Sequence, residues 1–176
     1  MIFFTADLHF GHENIIRHCG RPFSNADEMD AALMRNWNDT VGPRDEVYIL
    51  GDFTMKSAAQ AHAYLTALNG RKYFITGNHD KFLKGFGPFE RDFEWVKDYH
   101  RLVYQNWRFI LFHYPIAEWD NFYRGAIHLY GHIHNSPTSE ARLPSGGLAF
   151  NVGVDCHDFR PVSIEQIIAL AAEKEA

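Results

Sequence analysis

MIFFTADLHF, residues 1–10, is an apolar run that passes directly into residues of the kind that bind metal ions. Ile2 to Ala6 predicts a short buried strand, and Asp7 and His9 follow at its carboxyl end. Side chains placed beyond strand ends commonly build sites in α/β folds. The stretch therefore predicts a sheet whose strand ends carry metal-ligand residues.

The same arrangement, an apolar run followed by metal-ligand residues, recurs further along the chain. The runs are Glu46–Leu50, Lys72–Thr76, Arg108–Phe112 and Ala126–Tyr130. The blocks that follow them are Gly51-Asp52, Gly77-Asn78-His79-Asp80, His113 and Gly131-His132-Ile133-His134. Carboxylates, imidazoles and one amide oxygen make a ligand set suited to two divalent cations side by side.

Between the first three predicted strands, apolar residues recur at helical spacing. Helices are expected at Glu13–His18, from a capping box at Ser24 and Asp27 to about Thr40, and at Ser57–Leu68. Alternating strands and helices favour an α/β fold with parallel strands. We therefore expect a single sheet edge to gather the ligand blocks into one site.

The second half of the chain is richer in predicted strands. A meander is expected over Trp95–Tyr99, Arg101–Gln105 and Arg108–Phe112, and a last strand over Leu148–Val154. Residues 135–147, rich in Ser, Pro and Gly, predict a loop, and Ser163 is the predicted cap of a C-terminal helix. A length of 176 residues without an evident linker predicts one domain spanning residues 1–176.

Composition and charge narrow the class of protein. The formal net charge of −5 gives no support for nucleic-acid binding, although two bound dications would reverse the sign inside a site. The N-terminus lacks a basic region and meets a carboxylate at Asp7, so it does not read as a signal peptide. The two cysteines show no zinc spacing and suit a reducing compartment. We expect a cytoplasmic protein without membrane contact.

In chain order the blocks read DxH, GD, GNHD, H and GHxH, a pattern that resembles the calcineurin-like metallophosphoesterase family. The resemblance runs from Asp7 to His134. Stretches 7–17 and 20–23 further resemble the small bacterial and phage branch of that family. The resemblance implies a four-layer α/β/β/α metallophosphoesterase sandwich with ligands at the C-terminal ends of its strands.

The resemblance also implies a role for each site residue. The implied ligands are Asp7, His9 and His134 for one ion, Asn78, His113 and His132 for the other, and Asp52 as a bridge between them. His79 is implied to face the phosphate without binding metal, where it stabilises the transition state or protonates the leaving oxygen. Asp80 is implied to hold His79 in orientation.

The function implied by the resemblance is phosphate-ester hydrolysis by in-line attack of a hydroxide that bridges two divalent ions. Mn²⁺ is the expected metal, with Fe, Zn, Ni or Mg as alternatives, because mixed N/O ligand sets discriminate poorly among metals. We expect a small phosphorylated substrate, either a phosphodiester or a nucleotide-like molecule, because no cap insertion is evident. A phosphomonoesterase, a nuclease and an inactive scaffold of the same fold are the alternatives. The sequence does not predict the oligomeric state.

Taken singly, the site residues have ordinary structural explanations. Asp7 and Asp52 are also typical helix N-caps, and Asn78 is a typical turn residue. Only the ordered combination of blocks favours a metal site. The candidate substrate contacts are His12, Arg17 and Arg21, of which the two arginines fit a phosphate-binding role and a salt-bridged helix face equally well.

Overall fold

A computed structural model describes residues 1–85, 91–136 and 147–175 of the chain. Its strands are β1 (Ile2–Thr5), β2 (Glu46–Leu50), β3 (Arg71–Ile75), β4 (Trp95–Lys97), β5 (Tyr99–Tyr104), β6 (Trp107–Phe112), β7 (Ile127–Tyr130), β8 (Leu148–Asn151) and β9 (Val162–Ser163). Its helices are α1 (Glu13–Cys19), α2 (Ala26–Thr40), α3 (Ala58–Ala67) and α4 (Ile164–Glu175). Short 3-10 turns lie at Lys81–Gly85, Phe122–Arg124 and Val154–Cys156. Most of the loop expected at 135–147 lies outside the described residues.

The first sheet has the strand order β4-β3-β2-β1-β9. Strands β1 to β4 are parallel to their neighbours, and β9 runs antiparallel to β1. Phe3 pairs with Val47, which in turn pairs with Lys72, so the carboxyl ends of β1, β2 and β3 lie side by side. The first three ligand blocks therefore meet at one end of this sheet.

The second sheet has the strand order β5-β6-β7-β8. β5 forms an antiparallel hairpin with β6, whereas β6, β7 and β8 are parallel. His113 follows β6 and the block at residues 131–134 follows β7, so these residues share an edge of the second sheet. The expectation of a single sheet edge was wrong, because the site draws on the strand ends of both sheets.

Alternating side chains on the strands separate the interior into two layers. Val47, Ile49 and Phe74 face helices α1 to α3 in one cluster of buried side chains. Tyr48 and Leu50, which alternate with them on β2, belong to a second cluster between the two sheets. This period of two is expected for a strand that is buried on both faces.

The space between the sheets is closed by the inner face of the second sheet and by α4. Phe109 and Leu111 of β6 pack there, together with Ile164 and Ile167 at the start of α4. The outer face of the second sheet carries a smaller cluster around Trp119, in the segment that contains the 3-10 turn at Phe122–Arg124. The predicted α/β sandwich with two stacked sheets is confirmed.

Several element boundaries differ from the sequence expectations. β4 is not part of a meander, because it pairs in parallel with β3 through Tyr73 and Trp95, and the chain changes sheets at Asp98. The predicted last strand ends at Asn151 and is followed by a 3-10 turn. The two-residue strand β9, which pairs with β1, was not predicted.

The caps show how local sequence determines helix starts. The N-cap of α2 is Asn25, one residue later than the predicted cap Ser24. The Asn25 side chain accepts from the Glu28 N–H at 2.9 Å, and the Glu28 carboxylate accepts from the Ser24 N–H at 2.8 Å. Ser163 caps α4 as predicted, because its hydroxyl accepts from the Gln166 N–H at 3.2 Å.

Across the described stretches of chain, no helix combines the length and the apolar character that a membrane crossing requires.

Candidate metal centre

The backbone turns sharply at most of the predicted ligand positions. Asp7, His9, Asp52, His132 and His134 all have positive φ angles, between 50° and 71°. Residues other than glycine rarely adopt this left-handed conformation, and its cost, about 1–3 kcal/mol per residue, is typically met at functional sites. The sharp turns are also tied together, since the Asp7 N–H donates to the Gly51 carbonyl at 3.1 Å and the His9 N–H to the Asp52 carbonyl at 2.9 Å.

Asp7, His9 and His134 form the first of two ligand groups. One ligand atom of each residue lies within 4.8 Å of those of the other two. Asp7 and His9 are fully buried, with exposed fractions of 0% and 1%. The first sheet supplies the first two residues and the second sheet supplies His134, so this group exists only where the two sheets meet.

Asp52, His113 and His132 form the second group, again with one ligand atom each within 4.8 Å of the others. The Asn78 amide oxygen lies 3.2 Å from His113 Nε2 and 3.1 Å from His132 Nδ1, so it belongs to the same cluster. His113 Nδ1 lies 2.7 Å from the Leu50 carbonyl, to which it donates. The lone pair of His113 Nε2 is thereby directed toward the centre of the group.

Asp52 lies between the two groups. Its Oδ2 atom is 3.6 Å from His9 Nε2 in the first group and 3.5 Å from His113 Nε2 in the second. Its other oxygen accepts the His79 backbone N–H at 2.9 Å. One carboxylate in this position can reduce the repulsion between two adjacent cations, because it carries a full negative charge.

The donor chemistry of the site fits divalent cations. Both ring nitrogens of His9 are buried and, among the described residues, have no hydrogen-bond partner. Burial, with His134, Arg21 and other neighbours, lowers the pKa of His9 to about 2, so its ring is neutral and can donate a lone pair. Burial also raises the pKa of Asp7 to about 7, although His134 opposes this. A cation beside Asp7 would stabilise its charged form.

Two glycines allow the carboxylates to pack directly against the backbone. A Cβ atom at Gly131 would lie 2.5 Å from Asp7 Oδ2, and one at Gly77 would overlap the Asp52 carboxylate. Neither glycine has a positive φ, so the constraint at these positions is space and not backbone conformation. The glycines of the GNHD and GHxH blocks therefore leave room for the two carboxylates.

His79 lines the cleft beside the ligands but belongs to neither ligand group of the described residues. Its ring centroid is 5.5 Å from that of His9. The position is compatible with the predicted role, in which His79 acts on a bound phosphate without binding metal.

Asp80 has a different role from the predicted one. Its carboxylate accepts backbone N–H bonds from Gly77 at 2.7 Å and from Asp52 and Phe53 at 2.9 Å each. Among the described residues, no hydrogen bond joins it to the His79 ring. Asp80 therefore fixes the loop after β2 against the loop after β3, because a buried carboxylate can satisfy several backbone donors at once.

The three predicted substrate contacts separate into two classes. His12 and Arg17 line a cleft of about 610 Å³ next to the ligand groups, and α1 forms one of its walls. Arg21 does not reach the cleft. It is 4% exposed, and its guanidinium donates to the Asp155 carboxylate and to backbone carbonyls. The prediction of a substrate contact at Arg21 was wrong.

Asp155 and Asn151 take part in the site although neither was predicted to do so. Asp155 Oδ2 accepts from His134 Nδ1 at 2.9 Å, and the Asn151 amide donates to the His134 carbonyl at 2.7 Å. Burial lowers the pKa of His134, but the bonds to Asp155 and Cys19 outweigh this effect and raise the pKa to about 10. Both residues lie at or just after the end of β8, so the rule that located the other blocks could have found them.

Known proteins resemble this chain at several levels. The chain is 36% identical over 172 residues to the uncharacterized protein MJ1445 of Methanocaldococcus jannaschii. The aligned region covers 96% of this chain and 90% of MJ1445. It is 38% identical over 109 residues to the Gene 66 protein of Mycobacterium phage L5, which covers 59% of the chain and 46% of the phage protein. No profile of a known protein family matches the sequence.

A solved structure shows the same fold over nearly the whole chain. The crystal structure of AQ665 from Aquifex aeolicus, a protein of unknown function, superposes with a TM-score of 0.75 and 26% identity. The match covers 97% of this chain and 98% of AQ665. The arrangement of two sheets is therefore shared beyond the motif blocks.

Proposed function

We propose that this chain, which belongs to one family with MJ1445, is a metal-dependent phosphoesterase of the calcineurin-like metallophosphoesterase superfamily. The observation that carries the proposal is the position of the Asp52 carboxylate, about equally far from His9 Nε2 and His113 Nε2. One carboxylate between two groups of imidazole, carboxylate and amide donors is an arrangement that suits a pair of divalent cations.

In this proposal the two groups hold one ion each. Asp7, His9 and His134 would bind the first ion, Asn78, His113 and His132 the second, and Asp52 both. When bound, such ions supply a nucleophile from water and neutralise charge on the phosphoryl oxygens. Mn²⁺ is the proposed metal, since it accepts mixed nitrogen and oxygen ligands.

His79 is the proposed acid or charge stabiliser. Its backbone N–H donates to the Asp52 carboxylate at 2.9 Å. Its side chain lines the cleft, where a substrate would bind. An imidazole at this distance from the ligand groups can protonate the leaving oxygen or stabilise the developing negative charge.

The cleft favours an extended phosphate ester. Its wall on α1 carries Asn14, Arg17 and His18, three polar side chains outside both ligand groups. These can contact the part of a substrate that lies beyond the reacting phosphorus. We therefore propose a phosphodiester or a nucleotide-like substrate. A phosphomonoester or a nucleic-acid end would use the same ligand groups and is the alternative.

Hydrolysis of two model esters tests the proposal. The protein loaded with Mn²⁺ is assayed on bis-p-nitrophenyl phosphate and on p-nitrophenyl phosphate, with a chelator-treated sample as the control. We expect turnover only with metal and a higher kcat/KM for the diester. A tenfold preference for the monoester would reverse the proposed order of substrates, and equal rates with and without chelator would contradict metal dependence.

An inactive scaffold of the same fold would be expected to have lost ligands or the catalytic histidine. Here the proposed ligand positions and His79 are all occupied by residues able to perform their roles. This favours the enzyme over the scaffold.

A further inference from the structure

We propose that Arg21 and Asp155 are positioning residues that hold His134 and the Asp7 loop in place for the first ion. The inference rests on the proposed function, because it assigns these residues to the same metal centre. It extends the centre from the ligand blocks to two buried residues that lie 134 positions apart in the chain.

The two side chains form a fully buried ion pair with two-point contact. Arg21 Nε donates to Asp155 Oδ1 at 2.8 Å, and Arg21 Nη2 donates to Asp155 Oδ2 at 2.8 Å. Their side chains are 0% and 1% exposed. Paired geometry of this kind gives directional as well as electrostatic stabilisation, because both planar groups are fixed relative to each other.

Asp155, held by Arg21, in turn orients the ring of His134. Its Oδ2 atom also accepts from His134 Nδ1 at 2.9 Å. Because Nδ1 donates to Asp155, Nε2 is the ring nitrogen that can bind a cation once its own proton has been released. Carboxylates that orient a metal-binding histidine in this way commonly determine the affinity of the metal site.

Arg21 also fixes the backbone at Asp7, on the other side of the first ligand group. Its guanidinium donates to the Asp7 carbonyl at 2.7 Å and to the Leu8 carbonyl at 3.0 Å. These bonds hold the left-handed turn at Asp7, whose φ angle is 57°. One buried arginine thus fixes the backbone of Asp7 and, through Asp155, the ring of His134.

Cys19 lies close enough to His134 and Asp155 to suggest a separate cation site, since one ligand atom of each falls within 4.8 Å of the others. The Asp155 carboxylate is already bonded to Arg21 and to His134, however. A cation there would have to displace the guanidinium. The geometry therefore favours positioning over an additional metal site.

Stepwise Mn²⁺ titration tests the inference, with free Mn²⁺ followed by electron paramagnetic resonance and two dissociation constants fitted. For Asp155→Ala we expect one constant to rise by about 10- to 100-fold, while the other stays within about twofold. The constant that rises must be the one that His134→Ala also raises. Asp155→Asn, which keeps an acceptor for His134, is expected to give a smaller rise of about tenfold and is the variant to use if the alanine protein does not fold.

Asp92→Ala is the matched control. Asp92 accepts from His62 Nδ1 at 2.8 Å, so it forms a carboxylate–histidine pair outside both ligand groups, in which the Asp92 side chain is 6% exposed and the His62 side chain is 42% exposed. Melting curves are recorded for all variants. A merely structural role would lower the melting temperature of Asp155→Ala and Asp92→Ala alike without raising one Mn²⁺ constant selectively.

The inference is overturned if both constants of Asp155→Ala and Asp155→Asn stay at the wild-type values, or if both rise equally. Turnover is not needed for this titration. A wild-type protein that binds two ions but hydrolyses no ester would therefore contradict the proposed function and leave the positioning result readable. A wild-type protein that binds no Mn²⁺ would contradict both.

Discussion

At the scale of single residues, Asp52 and His79 are linked by a hydrogen bond from the His79 backbone but have different proposed roles. The His79 N–H donates to the Asp52 carboxylate at 2.9 Å, whereas the His79 ring lines the cleft. The backbone of residue 79 thus helps to place the proposed bridging carboxylate. Its side chain remains available for a substrate.

Replacement of the His79 side chain separates these two contributions. His79→Ala keeps the backbone N–H, so both ions should remain bound while kcat falls by about 10²-fold or more, as expected for a lost acid or charge stabiliser. Metal content by mass spectrometry and kcat on the preferred ester measure the two effects. His62→Ala on α3 is the control and should retain wild-type turnover. Loss of metal from His79→Ala would instead assign His79 to the ligands.

Two arginines show the limit of prediction from residue type. Arg17 and Arg21 are four positions apart and were equally compatible with phosphate binding or a salt bridge. Arg17 lines the cleft, whereas Arg21 is buried against Asp155. The partner that decides the role of Arg21 is 134 residues away, so no local pattern contained this information.

At the scale of elements, the strand ends were predictable and the sheet pairing was less so. Each ligand block follows a buried strand because apolar runs and polar blocks are both local features of the sequence. The assignment of β4 to the first sheet depends on its pairing with β3, which the short sequence between β4 and β5 concealed. The same limit explains why a single sheet edge was expected, whereas the site draws on two sheets.

Helix α1 forms one wall of the cleft, and Arg17 is its proposed cationic contact with a substrate. Arg17→Ala should raise KM by about 10-fold, because one charge-assisted contact to the substrate is lost, while metal content stays unchanged. Steady-state kinetics on the preferred diester give the result. Arg35→Ala, an exposed arginine of α2 outside the described cleft lining, serves as the control. An unchanged KM for Arg17→Ala would move the substrate to another wall.

Strand β7 carries a buried histidine that links it to neighbouring backbone. His128 Nδ1 lies 3.1 Å from the Ile110 carbonyl and Nε2 lies 3.2 Å from the Tyr114 carbonyl. Burial lowers the pKa of His128 below the ordinary value of 6.5, although both carbonyls oppose the shift. The unfolded chain therefore takes up a proton near pH 6.5 that the folded chain resists.

This difference predicts how stability depends on pH. As pH falls below about 6.5, the free energy of unfolding should decrease by at most about 1.4 kcal/mol per pH unit from this group. His128→Gln keeps an amide donor but cannot take up this proton, so its unfolding free energy should fall less steeply. Urea unfolding of both proteins between pH 7.5 and pH 5.5 provides the comparison. Parallel slopes would show that His128 does not contribute.

At the scale of the whole molecule, the candidate centre is a product of how two sheets meet. The first group combines Asp7 and His9 with His134, and the second combines Asp52 with His113 and His132. Residues at the ends of β1, β2, β3, β6 and β7 therefore have to be brought together by the complete fold. The ordered motifs predicted which residues meet and the family resemblance implied Asp52 as the bridge, whereas the distances from Asp52 Oδ2 to the two groups follow from how the sheets stack.

Mn²⁺ stoichiometry is the most direct test of this account. Equilibrium dialysis of the wild-type protein is predicted to give two bound ions per chain, because the structure provides two ligand groups that share one carboxylate. Asp52→Asn removes the shared negative charge and should weaken the binding of both ions together. A wild-type protein that binds fewer than two ions at saturating Mn²⁺, or an Asp52→Asn variant that binds both as tightly as the wild type, would contradict the proposed dinuclear centre.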